Sequence, residues 1–309
     1  MVRPDWRGVF PAVTTQFKKD HSLDLEATQK HIGVLIESGS RGLVMLGTVG
    51  ENNALSAEEK RQVLHAARDA AAGRVPVLSG VAEYTTDLAA NFARECEDIG
   101  IDGLMVLPCM VYKSDPRETL THFRSVARAS GLPIMVYNNP VSYGVDITPE
   151  MFAELSDEDT IVAIKESSEN VRRITDLTNV VGDRYILFSG VDDLVLESVL
   201  LGAVGWVAGL VNVFPRESVA LFDWAVAGRW DDALSYYRWL TPIFHLDTEP
   251  KLVQYIKLGQ QVMGLGSEVV RSPRLVLESD ERASIIALFE KAAAERPIAS
   301  TPLRTAAGE

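Results

Sequence analysis

The sequence predicts an α/β chain, a (β/α)8 TIM barrel followed by a C-terminal helical extension, and three observations carry that prediction. Short runs rich in Val, Ile and Leu alternate with longer amphipathic stretches, at a period of about 20 to 35 residues. Eight such runs occur, at 9–14, 42–46, 76–79, 103–107, 133–137, 160–164, 185–188 and 205–208. Each is nearly continuous in apolar character and bounded by Gly, Pro or polar residues, as a strand buried on both faces of a parallel sheet should be. Eight β/α units favour closure into a barrel over an open doubly wound sheet, although counting alone leaves the open form standing.

Between the runs lie helices with readable starts. Ser56-Ala57-Glu58-Glu59 is a capping box, and Asp115-Pro116 and Thr148-Pro149 each put proline at the first helical position. The uncharged stretch 198–215 mimics a membrane span but contains Gly202, Gly205, Gly209 and Asn212 and closes on Pro215, so it reads as helix end, turn and buried strand. After the eighth run the pattern is helical only, at 215–227, 230–244, 250–263 and 280–294. The expected organisation is a barrel over 1–227, a helical extension over 228–296 and a mobile tail over 297–309, where little is available to bury.

Composition narrows the function classes. The chain has 309 residues, 47% of them hydrophobic, and a formal net charge of -13, with no Lys/Arg run longer than two. That excludes a phosphate-neutralising nucleic-acid surface and leaves a small-molecule substrate as the expected partner. Two cysteines, Cys96 and Cys109, exclude a disulfide framework and favour a reducing compartment. With no apolar leader at the N-terminus and no membrane span, the expected location is the cytoplasm.

In such a barrel the chemistry stands at the C-terminal ends of the strands. Lys165 follows the apolar run 161–164, where desolvation would lower its pKa and supply a free amine to attack a carbonyl or imine carbon. The bland alternative is a lysine paired with Glu166 or another carboxylate. Gly47-Thr48-Val49-Gly50 after strand two could offer successive N–H groups to a substrate carboxylate, or be an ordinary βα turn. Tyr137 ends strand five and could relay protons to Lys165, or be a core tyrosine. Cys109 has no histidine placed as its base and reads as a small buried hydrophobe. The five histidines, His21, His31, His65, His122 and His245, are scattered singly, so no metal site is expected. Together, a strand-end lysine, a strand-end tyrosine and an anion-binding turn describe imine catalysis on a 2-keto acid or its cyclic imine.

These motifs, in this order along the chain, resemble the dihydrodipicolinate synthase and N-acetylneuraminate lyase superfamily of class I lysine aldolases. Gly47-Thr48-Val49-Gly50-Glu51 matches its G-T/S-T-G-E turn, Tyr137-Asn138-Asn139-Pro140 its Y-N-x-P, Ile164-Lys165-Glu166 its I-K-E, and Ser189-Gly190-Val191-Asp192-Asp193 its S-G-D-D. The likeness runs from about residue 6 to beyond 215. It implies Lys165 as the Schiff-base residue, Tyr137 as the relay phenol with Thr48 beside it, no cofactor, and a homotetramer. Gly47, Val49 and Gly50, with Ser142, Ser167 and Val207 at other strand ends, form the expected substrate-binding set.

Three departures bear on the substrate. Val49 stands where the family turn has a second hydroxyl residue. Ser142 stands where the synthase has an arginine two residues after the proline, which argues against the synthase reaction itself. Cys109-Met110 replaces a tyrosine pair after strand four, with Tyr112 shifted, which argues against a relay through a neighbouring subunit. The segments 47–52, 137–148, 206–209 and 250–257 look most like the 1-pyrroline-4-hydroxy-2-carboxylate deaminase branch, with the 2-keto-3-deoxy sugar-acid dehydratases next to it. Retro-aldol cleavage and a non-catalytic 2-keto acid binding protein are the remaining alternatives.

Overall fold

Eight parallel strands close into a barrel in a computed structural model that describes residues 3–109 and 111–297. Met110, and all of the expected tail except Pro297, lie outside the described residues. The strands are β1 (Gly8–Pro11), β2 (Leu43–Met45), β3 (Val77–Val81), β4 (Gly103–Val106), β5 (Ile134–Asn138), β6 (Ile161–Glu166), β7 (Ile186–Ser189) and β8 (Gly205–Ala208). Each coincides with one of the eight apolar runs. Their order in the sheet is β1-β8-β7-β6-β5-β4-β3-β2, and an isolated parallel bridge between Ala12 and Val44 joins β1 to β2 and completes the ring. The N–H of Val13 donating to the Val44 carbonyl at 2.9 Å, and of Arg41 to the Val9 carbonyl at 2.9 Å, carry that seam. Every strand residue is buried, which explains why the runs lack the alternation of a half-exposed strand.

The helix starts follow from local chemistry. Ser56 caps the helix Ala57–Ala71, with Glu59 returning a bond to the Ser56 N–H, and Asp115 does the same with Glu118 for the helix Pro116–Ala127. Thr148 caps the short helix Pro149–Glu154. Strand ends differ from the sequence expectation by up to three residues, and the difference that matters to the site is that β6 runs on to Glu166, because Lys165 pairs with Tyr137 and Phe188, and Glu166 with Asn138 and Ser189. Lys165 is therefore held within the sheet and not in a loop beyond it.

After β8 come the helices Pro215–Val226, Trp230–Phe244, Leu252–Val262 and Ser279–Ala294. They share one apolar cluster with β1, β7 and β8, containing Phe10, Phe188 and Trp206 from the strands and Phe222, Phe244, Ile256 and Phe289 from the helices. Trp206 and Phe244 meet edge to face at 5.5 Å. Each such side chain taken out of water contributes about 1.5–3 kcal/mol. Among the described residues no helix is long and apolar enough to cross a membrane.

Candidate active site

Strand alternation decides which groups meet at the C-terminal mouth. Tyr137, Lys165 and Phe188 are in register across β5, β6 and β7 and so project to the same side, into the barrel. Glu166 is one residue on and faces the other way, where its Oε2 accepts from Asn138 Nδ2 at 3.0 Å and its Oε1 from the Ser168 N–H at 2.6 Å. It cannot be the partner of Lys165, and among the described residues Lys165 forms no ion pair. Its ammonium instead lies over the Tyr137 ring, 3.9 Å from the centroid, on a side chain 6% exposed. Burial holds the Lys165 pKa below the ordinary lysine value, against the opposing fields of Tyr143, Asp247 and Asp192.

The loop after β7 passes directly over this lysine. A Cβ on Gly190 would stand 2.0 Å from Ser167 Oγ and 2.8 Å from both Cγ and Cε of Lys165, so only glycine fits. Ser167 is 1% exposed and its hydroxyl has no hydrogen-bond partner among the described residues, which leaves a buried polar atom facing the same space.

Opposite lies a set of hydroxyls. Thr48 Oγ1 and the Tyr143 hydroxyl are 2.6 Å apart, and the Tyr143 ring meets Tyr137 edge to face at 5.5 Å. Burial raises the pKa of both phenols; at Tyr137 the Asn139 amide, donating at 3.2 Å, is the foremost opposing contact, with the Tyr143 and Ser167 hydroxyls also lowering it. The turn Gly47-Thr48-Val49-Gly50 is closed by the N–H groups of Glu51 and Asn52, bonded to the Thr48 and Gly47 carbonyls at 3.0 and 3.3 Å. Its own bonds thus draw on neither the Thr48 nor the Val49 N–H. Leu46 and Glu51, both with positive φ, bracket the turn.

The other expected residues are less central. Val207 is buried in β8 beside Phe10 of β1, an apolar wall. Ser142 is exposed on the short helix Pro140–Tyr143, and its N–H is used by the capping Asn139 Oδ1 at 2.9 Å. Cys109 corrects the sequence expectation of a buried hydrophobe: it is only partly buried, and its Sγ donates to the Tyr84 carbonyl at 3.0 Å, because β4 ends at Val106 and the following loop carries it toward solvent.

Sequence reasoning reaches Tyr143 only as a candidate near a strand end, as it does Ser142 and Ser167, and misses Asp247. Tyr143 stood in the motif region, but its hydrogen bond to Thr48 spans 95 residues and left no local signal. Asp247 comes from the turn after the helix Trp230–Phe244, and its Oδ2 accepts the Asp192 N–H at 2.8 Å. Asp192 is fully enclosed, with its carboxylate taking Trp206 Nε1–H at 3.0 Å and the Leu210 N–H at 2.7 Å.

A cleft of about 680 Å3 at the opposite end, near the N-termini of β7 and β8, is lined by Trp6, Ile186, Val199 and Trp230, and its charged residues Arg3, Asp5 and Arg7 face solvent. It lacks the buried titratable groups that gather around Lys165. Among the described residues no group of three or more His, Cys, Asp or Glu side chains is arranged to hold a metal ion.

Comparisons with known proteins agree with this geometry. The dihydrodipicolinate synthetase family model matches residues 5–292. The 4-hydroxy-tetrahydrodipicolinate synthase of Methanosphaerula palustris is 33% identical over 286 residues, covering 91% of this chain and 97% of its own. Among solved structures, the dihydrodipicolinate synthase from Aquifex aeolicus has a TM-score of 0.89 at 28% identity, over 93% of this chain and 98% of that one. A prophage protein of the dihydrodipicolinic acid synthase family from E. coli K12, solved in complex with pyruvate, has a TM-score of 0.88 at 28% identity, over 94% and 99%. The chain belongs to the dihydrodipicolinate synthetase family and is an enzyme of its Schiff-base-forming lyase class.

Proposed function

We propose that this enzyme converts 1-pyrroline-4-hydroxy-2-carboxylate to 2-oxoglutarate semialdehyde and ammonia through an imine on Lys165. The observation that carries the reading is a buried lysine with no ion pair among the described residues, seated on Tyr137 beneath Gly190 of the loop after β7. The pyruvate bound by the E. coli relative supports a 2-keto acid or its imine as ligand. The curated relatives carry the synthase name, but Ser142, exposed and with its N–H engaged, supplies no cation for a second carboxylate.

In this reading the turn's N–H groups and Thr48 hold the substrate carboxylate. Neutral Lys165 attacks C2, the C2–N bond of the ring breaks, and the freed amine stays on C5. Tyr137, with Thr48 and Tyr143 behind it, moves the proton lost from C3, and the resulting enamine expels the C4 hydroxyl. Tautomerisation and addition of water at C5 and C2 then release ammonia, the semialdehyde and free Lys165. One water is consumed overall. A 2-keto-3-deoxy sugar acid would follow the same path without the ring opening.

The test is borohydride reduction with pyruvate, the hydroxypyrroline carboxylate and a 2-keto-3-deoxy acid in parallel, followed by intact-mass and peptide analysis. The expected adduct maps to Lys165 and disappears in a folded Lys165→Ala variant, while turnover yields the semialdehyde and ammonia. An adduct elsewhere, or none, overturns the mechanism; pyruvate as product would assign retro-aldol cleavage instead.

A further inference from the structure

Expulsion of the C4 hydroxyl needs a proton donor, and the inference made here rests on the reading above. Among the described residues, the carboxyl arranged for the task at the barrel mouth comes from the C-terminal extension. Asp247 lies in the 3-10 turn His245–Thr248, which packs on the loop after β7. Its Oδ2 is fixed by the Asp192 N–H at 2.8 Å, while its Oδ1 accepts no hydrogen bond among the described residues. That oxygen stands 3.4 Å from where a Cβ on Gly209 would be, which places it beside the C-terminal end of β8.

Asp192 cannot do the same work. Both of its oxygens are taken, by Trp206 Nε1–H and by the N–H groups of Gly209 and Leu210, and it is sealed from solvent. Asp192, whose N–H holds Asp247, follows two residues after Gly190, which packs on Lys165, so Asp247 is tied to the loop that covers the lysine, and its charge acts on both Lys165 and Tyr137. The Ser167 hydroxyl, buried beside Lys165 and acting on the Tyr137 phenol, makes this volume polar on the side of β6.

We propose that Asp247 is the acid that protonates the departing C4 hydroxyl of the Lys165-bound enamine. In that step the nitrogen lone pair re-forms the C2–N double bond, the C2–C3 pair moves to C3–C4, and the C4–O bond breaks. The oxygen takes the Asp247 proton and leaves as water, and the carboxylate regains a proton from solvent. The surroundings suit the role: burial pushes the Asp247 carboxyl up to about 6, opposed by the Asp192 N–H and the Lys165 charge and assisted by Asp193 and Glu169, while His245 on the same turn is engaged with Asp193 at 2.8 Å. Both protonation states are then populated near neutrality.

The experiment is Asp247→Asn, whose amide oxygen can still accept the Asp192 N–H. Three quantities are compared with the wild type: the borohydride adduct with pyruvate, deuterium exchange into the pyruvate methyl group, and turnover of the hydroxypyrroline carboxylate and a 2-keto-3-deoxy acid. Adduct and exchange should stay within about threefold, while turnover falls by a factor on the order of 10² to 10⁴, and Asp247→Glu should recover part of it. Wild-type-like turnover in Asp247→Asn overturns the inference alone. Loss of adduct and exchange together with turnover also overturns it, since the residue would then act before hydroxyl departure. A wild-type enzyme that forms the adduct but expels hydroxyl from neither substrate overturns the proposed function itself, and this step with it.

Discussion

Tyr143 sits where two parts of the site touch: its hydroxyl is 2.6 Å from Thr48 Oγ1, and its ring stands against Tyr137. Thr48 and Tyr143 are thereby hydrogen-bonded and set against the ring of Tyr137, the phenol nearest Lys165, within a single chain. In the proposed mechanism a proton leaving C3 passes through these groups, with none from a neighbouring subunit. We expect Tyr137→Phe and Tyr143→Phe each to lower kcat by a factor on the order of 10² to 10⁴, the second without loss of the Lys165 adduct. Tyr112, exposed beyond β4, should tolerate phenylalanine with no change in rate. Steady-state kinetics on the three variants decide the matter, and a normal rate in Tyr143→Phe would remove it from the relay. Lys165 and Tyr137 were legible in the sequence because each ends an apolar run. For Tyr143 only its nearness to a strand end was legible; its contact with Thr48 was not, because the helix Pro140–Tyr143 brings it to a residue 95 positions earlier.

The turn after β2 and the helix Leu252–Val262 form one mechanical unit. Glu51, at the end of the turn, pairs through Oε1 with Lys257 Nζ at 2.8 Å, and both side chains are 0% exposed. Lys257 also donates to the Thr15 carbonyl at 2.9 Å, and Glu51 Oε2 accepts the Arg271 N–H at 3.0 Å, so the pair is fully bonded where water cannot reach it. Removing one partner leaves the other charged and buried, a loss of about 3–5 kcal/mol. Lys257→Met should therefore reduce unfolding free energy by that amount in denaturant titration, and should raise KM as the turn loosens. Adding Glu51→Leu should restore much of the stability but not the KM. A loss below about 1 kcal/mol in the single variant would mean that the charge finds water and the pair does not brace the turn. The strands and the caps at Ser56, Asp115 and Thr148 could be read beforehand because periodicity and capping are local. An ion pair across 206 residues carries no such mark, and the sequence shows Lys257 only as one lysine on a helix.

At the scale of the whole molecule, the C-terminal helices are bound to the barrel by a buried polar network as well as by the shared apolar core. His31 lies on the helix Leu25–Glu37, Asn212 follows β8, and Gln260 lies on the helix Leu252–Val262. Asn212 spends its amide hydrogens on the carbonyls of Ala12 at 2.8 Å and Gly209 at 2.7 Å, so its Oδ1 accepts from His31 Nε2 at 2.9 Å. Gln260 Nε2 lies 3.0 Å from the same ring nitrogen, and His31 Nδ1 is buried without a partner among the described residues. A second proton there would have no acceptor, and burial accordingly pushes the imidazole down to about 4, with only the Asn212 bond opposing. In the unfolded chain the same ring has a pKa near 6.5 and takes up the proton first. Stability from this residue is therefore complete above about pH 6.5 and is lost as pH falls toward 4, by roughly 2–3 kcal/mol at pH 4.5. His31→Gln, which has no proton to gain, should be less stable than wild type at pH 7.5 but should show a shallower fall toward pH 4.5, the two curves converging by that amount. Parallel curves would mean that His31 keeps an ordinary affinity for protons in the folded enzyme, and that the network admits a charge its geometry gives no place to.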